Sequence, residues 1–362
     1  MSKYYSNEIV FRGHPDKVCD QISAALLREY MNQDPNTRAG IEVCGGKGNI
    51  FVTGEVTSTA QVDVKKIVKA VLLDVGYDIK GIKIINNLGT QSPDIALGTN
   101  DDVGGAGDQG MMFGYACSDT KEMLPKAQVI LQRFARWYDY IIQNQRVFLE
   151  GLIKHVCDLD IDVRRDIFKP DGKAQITGEY DDDFNLIKIK TFTISYQNTE
   201  KQREISDSIL KFIAHKICAD LGVEIEQFLI NPTGKFLVGG FEGDAGLTGR
   251  KIVVDAYQSF ANVGGGCMNG KDPSKVDFSA AHKARQIAKQ YLKKHKLKWC
   301  EVQLSYAIGK AEPLAIYIDS NKGNIEPEES LYKECTPKRI IEDLNLKQID
   351  YERLAMFGHF TD

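Results

Sequence analysis

The sequence predicts an α+β protein built from three similar units, each an antiparallel sheet with helices on one face. Three observations lead there. At 362 residues the chain is long enough for two or three domains that each bury a core. Apolar periodicity gives the order helix, strand, strand, helix, strand twice, and a related pass a third time. Residues 98–110, GTNDDVGGAGDQG, then break the pattern with five glycines and no periodicity, as a linker or a mobile loop would.

The first unit opens on a short strand at 8–11. Gly13-His14-Pro15-Asp16-Lys17 then starts a helix, with proline and an acid in its first turn. That helix runs to about residue 32, with Val18, Ile22, Ala25, Leu26 and Tyr30 spaced for one face. Strands at 39–44 and 49–57 flank a glycine turn, a helix at 61–75 stops at Gly76, and a strand follows at 82–86. The second unit repeats this with a helix at 125–149, strands at 173–180 and 186–196, a helix at 204–221 and a strand at 227–230. The third has a helix at 279–295, strands at 299–308 and 313–318, and a helix at 337–344. Its charged tail reads as solvated surface, and Ile252-Val253-Val254 reads as a buried strand. The expected boundaries are 1–102 for an N-terminal domain, 103–235 for a central domain whose residues 103–110 form a lid or linker, and 236–362 for a C-terminal domain.

Composition excludes several classes. A net charge of −4 argues against general nucleic-acid binding, so any basic cluster is local. The eight cysteines show no C-x-x-C and no Cys/His metal spacing, which suits reduced thiols in a cytoplasmic protein. No apolar run approaches a membrane span, and the first residues lack the apolar core of a signal peptide.

The chemistry concentrates in residues 239–277. Two glycine-rich turns there carry Asp244, Arg250, Lys251, Lys271, Lys275 and Asp277. Glycine lets backbone N–H groups approach an anion, and four cations with two carboxylates suit a polyphosphate and its divalent metal. Three familiar patterns are decoys. Residues 105–110 match G-x-G-x-x-G without the strand that must precede it, and 265–271 match G-x-x-x-x-G-K with Asp272 where Ser or Thr is needed. His14-Pro15-Asp16 is the tripeptide of co-chaperone J domains, which are helical hairpins without strands. His14 and Asp16 sit at a helix start that favours anions, though a histidine there also serves as a cap. Glu42 and Glu55 lie on adjacent strands, Asp171-Gly172-Lys173 fits an ordinary turn, and Phe236 beside Lys235 fits either core or a purine face.

Together these residues resemble one family. GHPDKVCDQIS (13–23), GAGDQGMMFGYA (105–116), GDAGLTGRKIVVDAY (243–257) and GGGCMNGKDPSKVD (264–277) resemble blocks of methionine adenosyltransferase, the S-adenosylmethionine synthetase family. QSPDI (91–95), INPTGKF (230–236) and GHF (358–360) support it in the same order. The resemblance implies three α/β-sheet units related by pseudo-threefold symmetry. It also implies a homo-oligomer: a dimer with active sites shared between subunits, pairing into a dimer of dimers. The implied reaction is attack of L-methionine sulfur on C5′ of ATP, then hydrolysis of the tripolyphosphate to pyrophosphate and phosphate. By resemblance His14 stands near the departing O5′, by hydrogen bond or charge, while Lys173, Arg250, Lys251 and Lys271 grip phosphates. Asp16 and Asp277 would hold two Mg2+ ions per site and Glu42 one K+ per subunit. Asp171, Lys235, Phe236, Asp244 and Ile308 would bind ATP, with Phe236 and Ile308 flanking adenine. Glu55, Asp108 and Lys275 would bind methionine under a lid formed by 98–110.

Departures leave alternatives open. Arg12 stands where the family usually has Glu, and Leu97 where it usually has a Gln that contacts methionine. Losing that polar partner costs about 1–3 kcal/mol of substrate binding. The lid is altered at 99–103, and Asn198 and Phe241 are further substitutions. A non-catalytic ATP-binding regulatory subunit is therefore the rival reading, and a tripolyphosphatase that no longer alkylates methionine a third.

Overall fold

The computed structural model describes residues 3–90, 105–156 (side chains to 144), 167–199 and 203–361. The chain runs β1 (Lys3–Val10), α1 (Pro15–Gln33), β2 (Arg38–Gly46), β3 (Asn49–Thr57), α2 (Val64–Val75), β4 (Lys83–Gly89) and β5 (Gly110–Cys117). Then come α3 (Lys126–Val156), β6 (Phe168–Tyr180), β7 (Leu186–Asn198), α4 (Arg203–Asp220) and β8 (Phe228–Ile230). The last third holds α5 (Gly240–Gly243), β9 (Gly246–Leu247), α6 (Ile252–Asp255), α7 (Val276–Lys294), β10 (Trp299–Tyr306) and β11 (Ala315–Ser320). It closes with α8 (Ser330–Glu334), α9 (Pro337–Asp343), a 3-10 turn at Leu346–Gln348 and α10 (Tyr351–Phe357).

Among the described residues three sheets form, ordered β4-β3-β2-β9, β1-β6-β7-β8 and β11-β10-β5. The first two are mixed rather than antiparallel as expected, because β3 with β4 and β7 with β8 run parallel. A parallel partner cannot be reached through a hairpin, and the helices α2 and α4 are the crossovers that supply it. Each sheet also takes an edge strand from elsewhere in the chain: β9 joins the first, β1 the second and β5 the third.

The described residues form two apolar cores. One lies between α3, α4 and the second sheet; the other is shared by the first and third units. Helix α1 runs through the shared core with fourteen buried residues, including Asp16, Lys17, Asp20 and Gln21. The C-terminal tail differs from the expected solvated surface. Leu346, Tyr351, Ala355 and Phe360 are buried against that core, because their apolar spacing gives the short helices an inner face. Ile252-Val253-Val254 is likewise not a buried strand. It forms the single turn α6, with Val253 43% exposed. Asp255 and Ala256 donate back to Lys251 and Ile252 carbonyls there, and the turn delivers Asp255 to Lys17 on α1.

The seven described cysteines are all free, in keeping with reduced thiols. Among the described residues no helix is long and apolar enough to cross a membrane.

Arg12 has a structural task. Its Nε donates to Gln21 Oε1 at 2.7 Å, and its guanidinium pairs with Asp74 on α2 and with Asp139 on α3. Gln21 returns a bond to the Arg12 carbonyl, so one residue ties three helices together. Arg12→Glu would set a carboxylate against two others in a nearly buried position and is expected to destabilise by about 3 kcal/mol. Urea unfolding measures this, and an unchanged midpoint would show that the network holds nothing.

Candidate active site

The N-terminus of α1 organises the first group of site residues. His14 is the N-cap, in extended conformation (φ −64°, ψ 137°), and its Nδ1 accepts the Asp16 N–H at 3.2 Å. In the neutral ring that leaves the proton on Nε2. Burial, followed by the charge of Lys251, pushes the His14 pKa down to about 4, against the pull of Asp16 and Asp244. Lys173 also acts on it, which places Lys173, Asp244 and Lys251 around one imidazole.

Asp16 is 1% exposed and satisfied from three sides. Its Oδ1 accepts the Leu247 N–H at 2.9 Å and lies 3.5 Å from Arg250 Nε, and its Oδ2 meets Lys251 Nζ at 2.5 Å. Thus β9 docks segment 244–251 onto the start of α1. Asp171 accepts the Gly240 N–H at 2.7 Å. Burial raises its carboxyl to about 6 despite the Gly240 and Gly172 amides, with Asp244 adding to the rise. Phe236 is tied beside this group by its carbonyl, which accepts the Asn198 N–H at 2.9 Å; its neighbour Lys235 is exposed.

A second group forms along the other half of β2. Gly40 pairs with Glu55 across β3 and bridges Lys271 on its other edge, and Ile41 N–H donates to Gly270 O. Lys271 pairs with Asp277, whose Oδ1 accepts the Gly266 N–H at 2.7 Å. Glu42 is half-buried; burial raises its pKa, with Lys271 opposing and Asp20 reinforcing. Lys275 caps α7 and donates to Asp272 Oδ2 at 2.7 Å. Asp272, discarded as a phosphate-loop position, instead holds the Ala39 and Ser274 amides. Asp108 and Ile308 sit near this side, at the joined ends of β5 and β10. Ala106 bridges Ile308 there, and Asp108 is exposed with its carboxylate on the Gln109 amide.

The predicted residues are therefore brought together as two groups. His14, Asp16, Asp171, Lys173, Asp244, Arg250 and Lys251 form one, with Lys235 and Phe236 nearby. Glu42, Glu55, Lys271, Lys275 and Asp277 form the other, with Asp108 and Ile308 nearby. On the same edge of β2, Leu247 pairs with Cys44 and Lys271 bridges Gly40. Their anchors are about 13 Å apart at the rise of a strand. Among the described residues no cluster of three or more His, Cys, Asp or Glu is placed to hold a metal by itself. Single carboxylates are nonetheless what Mg2+ uses when phosphates and water complete its shell. Leu97, residues 91–95 and the lid positions 98–104 lie outside the described residues.

Sequence reading missed the residues underneath. Lys17 Nζ lies 3.2 Å from Asp20 and 2.6 Å from Asp255, and Asp20 Oδ1 also accepts the Gly249 N–H. The available signal was the charge of Lys17 and Asp20 and the amide of Gln21, interleaved with Val18 and Ile22 on the core-facing half of the helix.

The comparisons agree along the whole chain. Residues 2–93, 103–236 and 238–362 match the N-terminal, central and C-terminal domains of S-adenosylmethionine synthetase. The S-adenosylmethionine synthase of Prochlorococcus marinus (strain MIT 9211) is 38% identical, over 99% of this chain and 94% of that protein. That of Clostridium tetani (strain Massachusetts / E88) is also 38% identical, over 99% of this chain and 94% of its own length. The chain belongs to the S-adenosylmethionine synthetase family.

Proposed function

We propose that this chain makes S-adenosylmethionine from ATP and L-methionine, in sites completed by a second copy of itself. The observation that carries the reading is the division of the polyphosphate and metal inventory into two groups on one chain. Each has its own carboxylate–lysine pair, Asp16 with Lys251 and Asp277 with Lys271. Two metal ions that share one polyphosphate need carboxylates that converge on it, and anchors about 13 Å apart favour convergence between subunits. An exposed row of side chains on the first sheet supports that assembly. Leu247, Cys44, Phe51 and Ile85 stand in register across all four strands of the first sheet, and all four are exposed. In this reading adenine lies between Phe236 of one subunit and Ile308 of the other. Dimers pair further into a dimer of dimers, and the free thiols fit a cytoplasmic location.

The sulfur–C5′ bond forms as C5′–O5′ breaks, and the electron pair leaves on the triphosphate oxygen. His14 Nε2–H donates to that oxygen as charge develops there. Arg250, Lys251, Lys173 and Lys271 hold the phosphates, while Asp171 and Asp244 orient the nucleoside. Glu55, Asp108 and Lys275 hold the methionine head group. Asp16 and Asp277 would each hold one Mg2+ and Glu42 one K+; these ions supply the remaining positive charge. The half-buried Glu42 carboxylate, destabilised by burial, suits a cation partner. The regulatory-subunit reading loses one of its supports, since Arg12 is occupied by Gln21, Asp74 and Asp139.

Incubation of the purified chain with ATP, methionine, Mg2+ and K+ is expected to yield sulfonium product with equal pyrophosphate and phosphate. Chelating Mg2+ should abolish product, and omitting K+ should slow it. ATP binding without product would favour the regulatory subunit. His14→Asn is expected to slow sulfonium formation at least tenfold more than hydrolysis of added tripolyphosphate; equal losses in both steps would remove its assigned role. For the shared site, inactive His14→Asn and Lys271→Met chains co-expressed in equal amounts should form mixed dimers with one intact site. About a quarter of the normal activity should return, as random pairing of two chain types dictates. No recovery would mean that each chain builds its sites alone.

A further inference from the structure

The loop that delivers His14 is held by a residue outside every recognised block. Helix α2 ends at Gly76 in the left-handed conformation (φ 96°), and the Tyr77 N–H turns back to the Leu72 carbonyl at 2.8 Å. That cap throws the Tyr77 side chain toward the junction of β1 and α1. Its hydroxyl donates to the Gly13 carbonyl at 2.7 Å. The Gly13 carbonyl belongs to the peptide that leads into His14, so its direction sets the plane from which the imidazole departs.

Three further contacts restrict this peptide. A Cβ on Gly13 would lie 2.4 Å from Pro170 Cβ, so the turn is already pressed against the residue preceding Asp171. The His14 N–H donates to Phe11 O at 3.0 Å, and Phe11 N–H donates to Gly172 O at 2.9 Å. Tyr77 is itself held by the ring of Phe241, edge-on at 5.5 Å between centroids. Beneath it Gly240 has φ +60°, and a side chain there would come within 2.6 Å of the Tyr77 hydroxyl. Gly240 also donates to Asp171. Burial, with the Asp171 charge second, keeps the phenol well above its ordinary pKa, so it stays a donor.

We infer that Tyr77 is a positioning residue for the sulfonium-forming step: through its hydrogen bond to the Gly13 carbonyl it aims the His14 imidazole at the departing oxygen. Phe241 and Gly240 hold the phenol in place for that purpose. The inference rests on the role proposed above for His14. No bond is made or broken at Tyr77, so its removal changes geometry alone, and misplacement by a fraction of an ångström is enough to slow a positioned step.

Tyr77→Phe deletes one oxygen and keeps the ring against Phe241. Its kcat for sulfonium formation is expected to fall about tenfold. The KM for ATP and the hydrolysis of added tripolyphosphate should stay within twofold of normal. Adding Tyr77→Phe to His14→Asn should cost nothing further, because the residue it acts through is already gone. Equal losses in both steps, a rise in KM without a fall in kcat, or a further loss in the double variant would each assign Tyr77 to general stability and overturn the inference. If His14→Asn alone proves unselective, the reading of His14 fails and this inference with it. If His14→Asn is selective and Tyr77→Phe is silent, only the inference fails.

Discussion

The buried ion pair between Lys17 and Asp255 is the constraint on which the rest of this molecule hangs. Lys17 is 1% exposed, and with Asp20 at 0% it lies inside a helix that is buried nearly all round. Burial opposes the Lys17 charge, yet Asp255 and Asp20 outweigh it and keep the ammonium above its ordinary pKa. A charge in that position is tolerated only when its partners are fixed, since losing one strands the other in a poor solvent. The partners come from far along the chain. Asp255 is brought by α6, and its second oxygen accepts from Asn269, which in turn meets His359. Through this one network the first helix, residues 244–269 and the end of the chain must assemble together.

That assembly explains where the site's charges sit. Segment 244–251 is laid over the start of α1, because Asp16 takes the Leu247 amide and Asp20 the Gly249 amide. The following loop is drawn to the other end of β2 through Gly270 and Lys271. Two stretches that touch at Gly249 and Cys267 are thus anchored at different points along one strand, Cys44 and Gly40. The separation follows from hydrogen bonds to β2 and α1, to which the Asp16 carboxylate itself contributes.

Local pattern made part of this legible. The proline after His14 has no N–H to leave unpaired and the acid complements those that are free, so both mark a helix start, and α1 begins there. Gly76 marks the end of α2 because glycine adopts the left-handed conformation found there (φ 96°). The glycine and charge content of 239–277 singles out the segment that the fold lays over the start of α1 and the edge of β2. Non-local facts were not legible. Parallel pairing of β3 with β4 depends on a crossover, and Ile252-Val253-Val254 reads as strand by β-branched content alone. It becomes one turn of helix because Asp255 must reach Lys17, 238 residues away. Tyr77 carries no motif at all, as its meaning comes only from the carbonyl it meets.

The cap on α1 also bears on the role proposed above for His14. With Nδ1 committed to the Asp16 amide, a neutral ring has one outward proton, and burial beside Lys251 favours that neutral ring. His14 is then a hydrogen-bond donor rather than a charge, and the charge must come from its neighbours. Its neighbour Lys251 is engaged with Asp16, and in the second group Lys271 is engaged with Asp277. A polyphosphate arriving with its metal would release both pairs at once, the lysines turning to phosphate and the carboxylates to the ion. Each charge keeps an opposite partner before and after, so no charge is stranded in the exchange. Such a site holds its cations ready without leaving an uncompensated cluster in the free protein, and the carboxylates that restrain the lysines are those proposed above to hold the metal.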